Sequence, residues 1–178
     1  MALAIRKILA ICILSVGLLP VAARPQTKSG DEWKPLAWLI GDWTGSGSGA
    51  PGQGAGSFSF QADLQGKILI RKSFAEYPAT ADKAAYRHDD LMVIFREGQS
   101  LRAMYFDNEG HVIRYTIAVS TDAAKAIFTS DSTAGAPGFR LTYQKTSETT
   151  LAGKFEIAPP EKPFSTYLEW TARKQPAK

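Results

Sequence analysis

The sequence is poor in the residues that most often carry metal or nucleophilic chemistry: it has one cysteine, Cys12, and two histidines, His88 and His111. Cys12 lies within an apolar N-terminal run, so a chain cleaved after that run has no cysteine. This excludes disulfides, thiolate nucleophiles and cysteine-based metal sites from the mature protein. The two histidines show no H-x-H or HExxH spacing, so we expect no metal site and no cofactor.

The sequence also lacks an apolar run long enough to span a bilayer. Its longest run, Ile8–Leu19, follows Arg6 and Lys7 and precedes Pro20 and three small residues. A short basic segment, an apolar run and small residues before a cleavage point are typical of a secretory signal peptide. We therefore predict a signal peptide over residues 1–23, a leader over 24–34 and an extracytoplasmic protein, periplasmic or secreted, without stable membrane insertion after cleavage.

A basic stripe interleaved with aromatic residues is missing as well. The net charge of +4 includes Arg6 and Lys7, which leave with the signal peptide, and both signs are interspersed along the rest of the chain. The pattern does not favour nucleic-acid binding. It contains no signal for an oligomeric state.

The chain does contain a nearly continuous period-two alternation of apolar and polar residues, which predicts strands. Short connections favour antiparallel neighbours, and closure into a barrel removes exposed sheet edges. We therefore predict an all-β domain over residues 35–174, an antiparallel up-and-down barrel of about ten strands, followed by a polar tail over 175–178. Besides a segment around Trp43, the predicted strands are 52–64, 67–77, 90–96, 100–106, 111–120, 125–130, 139–143, 151–157 and 164–172.

Glycines alternate with serines directly after Trp43, at Gly45, Gly47 and Gly49. Glycine weakens a strand unless a sharp bend or a close backbone approach requires it. We predict that this strand curls at a barrel corner, and that Trp43 with a short helix within residues 31–40 closes one end. A second helical turn is predicted over residues 79–86, where Thr80 is an N-cap candidate.

The stretch PLAWLIGDWTGSG, residues 35–47, resembles the N-terminal signature of calycin-type barrels, in particular the nitrobindin-like and lipocalin-like groups of secreted bacterial proteins. The resemblance implies a short helix, a Gly-x-Trp element that closes the barrel, and a last-strand arginine packed across the tryptophan, here Arg173. Nitrobindin-like proteins bind haem through a histidine near the C-terminal end. This chain has no histidine after His111.

Aromatic side chains on the apolar faces of the strands indicate either a filled core or a cavity for a small molecule. Arginines within strands face outward by default, but an inward pair on one hairpin would clamp a carboxylate. Arg102 and Arg114 are the candidates for such a pair. The full set of predicted ligand-binding residues is Phe60, Phe95, Arg102, Tyr105, Arg114, Tyr115, Tyr143 and Trp170.

Three functions remain open from the sequence. The favoured one is non-catalytic binding of a small, largely apolar molecule inside the barrel, with no catalytic residue assigned. The second is an enzyme of isomerase or hydrolase type that uses the same cavity, with His88 as its polar group beside Asp89 or Asp90. The third is a filled barrel that acts through its outer surface.

Overall fold

The computed structural model describes residues 32–176, so the predicted signal peptide and most of the leader lie outside the described residues. A 3₁₀ helix spans Lys34–Leu39, and a shorter one spans Leu64–Gly66. The strands are β1 Gly41–Gly49, β2 Gly54–Asp63, β3 Ile68–Tyr77, β4 Tyr86–Glu97, β5 Ser100–Asp107, β6 Val112–Val119, β7 Lys125–Ser130, β8 Gly138–Lys145, β9 Thr150–Ala158 and β10 Ser165–Lys174.

The ten strands form one closed antiparallel barrel in which each strand pairs with its neighbours in sequence and β1 pairs with β10. The predicted up-and-down barrel is therefore confirmed. The lower end of the barrel is the end where β1 begins and β10 finishes, and it carries Trp43. The upper end carries the β1–β2, β3–β4 and β5–β6 connections.

Period-two alternation places one side of each strand inside the barrel. The interior of the lower half is filled by a buried cluster that includes Phe60, Leu69, Ile94, Phe128 and Tyr143. These side chains pack the lower half, and the residues that line the interior cavity lie above them, in the upper half. The upper half is therefore the part of the barrel in which a ligand site can lie.

The glycines of β1 allow the first and last strands to approach closely. A Cβ placed on Gly47 would lie 2.2 Å from the carbonyl oxygen of Glu169 on β10, which real Cβ atoms do not tolerate. This close approach is the sharp corner that a closed barrel needs, and it accounts for the Gly-Ser alternation.

The segment before β1 packs against the lower end. Trp33, Leu36, Leu39 and Trp43 are buried in the core cluster, and the indole Nε1 of Trp33 donates to the carbonyl of Gly66 at 2.7 Å. The indole Nε1 of Trp43 donates to the carbonyl of Leu39 at 2.8 Å. These contacts agree with a role for the segment in closing the barrel, which stays a prediction.

The family resemblance implies that Arg173 packs across Trp43. The structure corrects this expectation, because the cation beside Trp43 is Lys174. The Nζ of Lys174 lies 5.3 Å from the centre of the Trp43 ring and donates to the carbonyl of Trp38 at 3.3 Å. Arg173 is exposed. Strand alternation explains the difference, because Ala172 and Lys174 share the inward face of β10 and Arg173 lies between them.

One further expectation is corrected by the structure. Residues 78–85 form an irregular connection instead of a helical turn. The inward face of β3 carries Leu69 and Arg71. The outer face of β4 is half-buried, and the neighbouring Phe106 of β5 is 39% exposed.

Candidate functional site

The upper half of the barrel encloses a cavity of about 420 Å³. It extends from the level of Phe58 and Arg71 to the upper rim, where Tyr77, Tyr86 and Tyr167 lie. A volume of this size is within the range of small-molecule sites. Tyr77 and Tyr86 stack at the rim with ring centres 4.6 Å apart.

One wall of the cavity is apolar and is formed by β8, β9 and β10. Phe139 and Phe155 stack with ring centres 6.0 Å apart and planes 6° from parallel. Trp170 lies over Gly153, where an added Cβ would be 2.0 Å from the indole ring. The full set of apolar residues on this wall is Phe139, Leu141, Phe155, Ile157, Leu168 and Trp170.

The opposite wall, on β3, β4 and β5, is polar, and its innermost charged group is Arg71. Its guanidinium forms a hydrogen bond and ion pair with Asp90, and the two side chains are only 8% and 5% exposed. Burial is the largest single influence and works against the charge of Arg71, but Asp90 and the neighbouring tyrosine hydroxyls together outweigh it and raise the pKa of Arg71 above its ordinary value. The positive charge of Arg71 is thus already matched within the protein.

Tyr143 lies next to Arg71 beneath the cavity. Burial raises the pKa of the Tyr143 hydroxyl to about 12, although the nearby guanidinium opposes part of that rise. The Tyr143 hydroxyl and the Nε of Arg71 are nevertheless buried without a hydrogen bond of ordinary geometry within residues 32–176. Both groups can donate a hydrogen bond.

Nearer the rim, His88 connects two other polar groups of the cavity. Its Nδ1 lies 2.9 Å from the Glu109 carboxylate, and its Nε2 lies 2.9 Å from the Tyr105 hydroxyl. Since Glu109 accepts when ionised, Nδ1 carries the proton and Nε2 accepts from Tyr105 when the imidazole is neutral. Burial and the nearby Asp90 raise the pKa of Tyr105 well above its ordinary value, so it stays a hydroxyl.

Asp107 ends the polar wall and is fully satisfied by hydrogen bonds. Its carboxylate accepts from the backbone N–H groups of Glu109 and His111 and from the His111 ring at 2.9 Å, and it lies 3.2 Å from the Tyr105 hydroxyl. Burial alone would raise the pKa of Asp107, but the hydrogen bonds and charge of His111, with the hydrogen bond from the Glu109 backbone, together outweigh it and hold the pKa below its ordinary value.

The structure brings only some of the predicted ligand-binding residues to the cavity. Tyr105, Tyr115 and Trp170 line it. Phe60 and Tyr143 are buried below it, with their rings 5.6 Å apart, so they contribute to its floor.

The remaining three predicted residues do not line the cavity. Phe95 and Arg102 are partners in the register of β4 and β5 and share the outer face of the barrel. Arg102 bonds Asp131 at 2.5 Å and also contacts Thr116. Arg114 is exposed. The expectation of an inward Arg102–Arg114 clamp is thereby corrected, since both residues alternate with the inward side chains of their strands.

Sequence reasoning missed the inward position of Arg71. The segment ILIRKSF has apolar residues on both faces of the strand, so alternation alone does not choose between them. His88, which we named only for the alternative enzyme function, lines the cavity, as does His111. The adjacent acidic residues Asp89 and Asp90 could have indicated a charged group inside the barrel, because one of two adjacent strand residues must face inward.

No protein-family model and no curated protein matches this chain. Among solved structures it is similar to Rv2717c from M. tuberculosis, with a TM-score of 0.62 and 15% identity over 82% of this chain and 98% of that chain. The fold is shared. The S-type phycobiliprotein lyase CPES from Guillardia theta gives a TM-score of 0.49 at 7% identity, covering 86% of this chain and 96% of that one. A de novo designed fluorescence-activating β-barrel gives 0.41 at 11% identity, covering 78% and 95%. The last two values are too low to carry a functional argument.

The histidines of the barrel do not fit the haem ligation that the nitrobindin resemblance implies. Both ring nitrogens of His88 are engaged, and His111 is paired with Asp107 at the rim with its side chain 57% exposed. Within residues 32–176, no three histidine, cysteine or acidic side chains are grouped so that they could hold a metal ion. No helix in that part of the chain has the length and hydrophobicity needed to cross a bilayer.

Proposed function

We propose that the protein is an exported barrel that binds a small, largely apolar molecule in its upper cavity without turning it over. The observation that carries the proposal is the cavity of about 420 Å³, with an aromatic wall facing a polar wall. Mostly apolar lining with a few placed polar groups is the usual composition of a small-molecule site. The cavity also argues against the filled barrel, because that alternative needs side chains where the space lies.

Export rests on the sequence of residues 1–23, and the secreted bacterial branch rests on the N-terminal signature. Ligand binding rests on the barrel interior and is independent of both. The two parts of the proposal are therefore tested separately, the first by N-terminal sequencing of the protein recovered from the extracytoplasmic fraction. A mature N-terminus near Arg24 supports export, and an intact Met1 contradicts it.

The binding test is titration with an environment-sensitive apolar dye. We expect a saturable signal with the unaltered protein and its loss in Ser73→Trp, because Ser73 lines the cavity and the indole would fill it. The matched control is Lys72→Trp, which adds the same side chain on the exposed outer face of β3. A protein that gives no saturable signal, or a Ser73→Trp variant that binds as well as the control, would contradict the proposal.

A second candidate is the enzyme that uses the same cavity. The observation that favours it is His88, held between Glu109 and the Tyr105 hydroxyl at 2.9 Å on each side. A histidine oriented by a carboxylate and facing a bound molecule is an arrangement for general acid–base catalysis. Turnover of activated aryl esters that His88→Ala abolishes and His111→Ala retains would support the enzyme over the carrier.

A further inference from the structure

The inner end of the cavity holds two adjoining hydrogen-bond donors, the Nε of Arg71 and the hydroxyl of Tyr143. Both are buried and make no hydrogen bond of ordinary geometry within the described chain, although the Arg71 side chain lies against the Tyr143 hydroxyl. Arg71 is 7% exposed and Tyr143 is fully buried. Leaving a buried donor unpaired is unfavourable, so two such groups at one place require an explanation.

Both donors adjoin the space in which the proposed ligand would lie. Arg71 lines the cavity, and the Tyr143 ring packs at 5.9 Å from Phe58 and 5.8 Å from Trp170, which also line it. The two donor atoms are covered in this structure. A ligand atom therefore reaches them only when a side chain of the cavity floor moves, and Trp170 is the half-buried ring that adjoins Tyr143.

The charges around the cavity indicate whether the ligand group that meets Arg71 and Tyr143 is charged or uncharged. Asp90 already neutralises Arg71, and the lining carries two further carboxylates, Asp107 and Glu109. A ligand carboxylate would add another negative charge to a weakly screened space. A ligand ammonium has no lone pair, so it cannot accept a hydrogen bond from Arg71 or Tyr143 and would leave both donors as they are. An uncharged acceptor avoids both penalties.

We propose that the ligand is an uncharged, largely apolar molecule with a carbonyl-type oxygen, which accepts hydrogen bonds from Arg71 and Tyr143 at the inner end of the cavity. This inference rests on the proposed ligand-binding function and specifies its chemistry. The apolar body of the ligand packs against Phe139 and Phe155, whose parallel rings suit a flat molecule. The polar oxygen is then held at the end farthest from the rim.

Four probes with one ring system test the inference by displacement of the bound dye: 2-acetylnaphthalene, 2-ethylnaphthalene, 2-naphthoate and 2-naphthylmethylamine. We expect the ketone to bind tightest. Tyr143→Phe removes one donor and should lower the affinity for the ketone about five- to tenfold, the value of one hydrogen bond. The hydrocarbon should bind the variant unchanged, and this also shows that the variant is folded.

The matched control is Thr142→Val, which removes a hydroxyl from the outward-facing neighbour of Tyr143 on β8 and should leave the affinities for all four probes unchanged. Tightest binding of the carboxylate or the amine would overturn the inference. So would a ratio of ketone to hydrocarbon affinity that Tyr143→Phe leaves unaltered. If neither the dye nor any probe binds the unaltered protein, the proposed function itself fails, and this result is distinct from a wrong choice of ligand class.

Discussion

Removal of the Arg71 charge by Arg71→Met is expected to destabilise the barrel strongly. The substitution leaves the Asp90 carboxylate without its cation, and Asp90 is only 5% exposed. Breaking a buried ion pair from one side costs about 3–5 kcal/mol. Because Asp90 lines the cavity and water can reach part of it, we expect the lower end, about 3 kcal/mol. For a domain of this size the loss corresponds to a fall in Tm of about 6–12 °C.

The assay is urea unfolding followed by circular dichroism, with a second ion pair as the matched control. Arg87 pairs with Asp89 at 2.9 Å, but both side chains are 47% exposed. Arg87→Met should therefore destabilise the protein much less than Arg71→Met does. The double variant Arg71→Met with Asp90→Asn should lose less unfolding free energy than the two single variants lose together. The difference should be about 1 kcal/mol or more, since the two groups interact directly.

Two results would refute this reasoning. Equal destabilisation by Arg71→Met and Arg87→Met would show that burial of the Arg71–Asp90 pair has no energetic consequence. Additive effects of Arg71→Met and Asp90→Asn would show that the two charges do not act as a pair. Either result would also remove the argument that Asp90 has already neutralised the cavity arginine.

Three further outcomes are expected from the same unfolding assay. Asp107→Asn should lower the free energy of unfolding by about 1–2 kcal/mol at pH 7. Since the pKa of native Asp107 lies below its ordinary value, the difference should shrink as the pH falls below about 4 and vanish only below that lowered pKa. Gly153→Ala should destabilise by about 2 kcal/mol or more, because its methyl group overlaps the Trp170 ring, and should shift the indole fluorescence. Lys174→Met should lower the free energy of unfolding by about 1 kcal/mol, whereas Arg173→Met should leave it nearly unchanged. This order is the reverse of what the family resemblance implies.

The sequence predicts the barrel well because strand alternation is a local property. The run from His111 to Ser120 alternates cleanly, and the observed β6 lies within it at Val112–Val119. The run of glycines after Trp43 likewise predicts a corner, since only a close backbone approach explains small residues on one face. Neither inference requires knowledge of contacts between residues that are far apart in the sequence.

The candidate site is harder to predict, since it depends on which face of a strand points inward. In β3 both faces carry apolar residues, so the inward position of Arg71 is decided by the register with β2 and β4. His88 meets Glu109 only because the β5–β6 turn lies beside the start of β4. This contact joins residues 21 positions apart, and no local pattern encodes it.

The pairing of the first and last strands determines where the chain enters and leaves the barrel. Trp43 lies opposite Lys174 in the ladder, and the backbone N–H of Gln175 donates to the carbonyl of Asp42 at 2.8 Å. Both exits are therefore at the lower end, remote from the rim tyrosines. A tether or fusion partner joined directly before residue 32 or after residue 176 would leave the cavity entrance unobstructed and facing away from the attachment point.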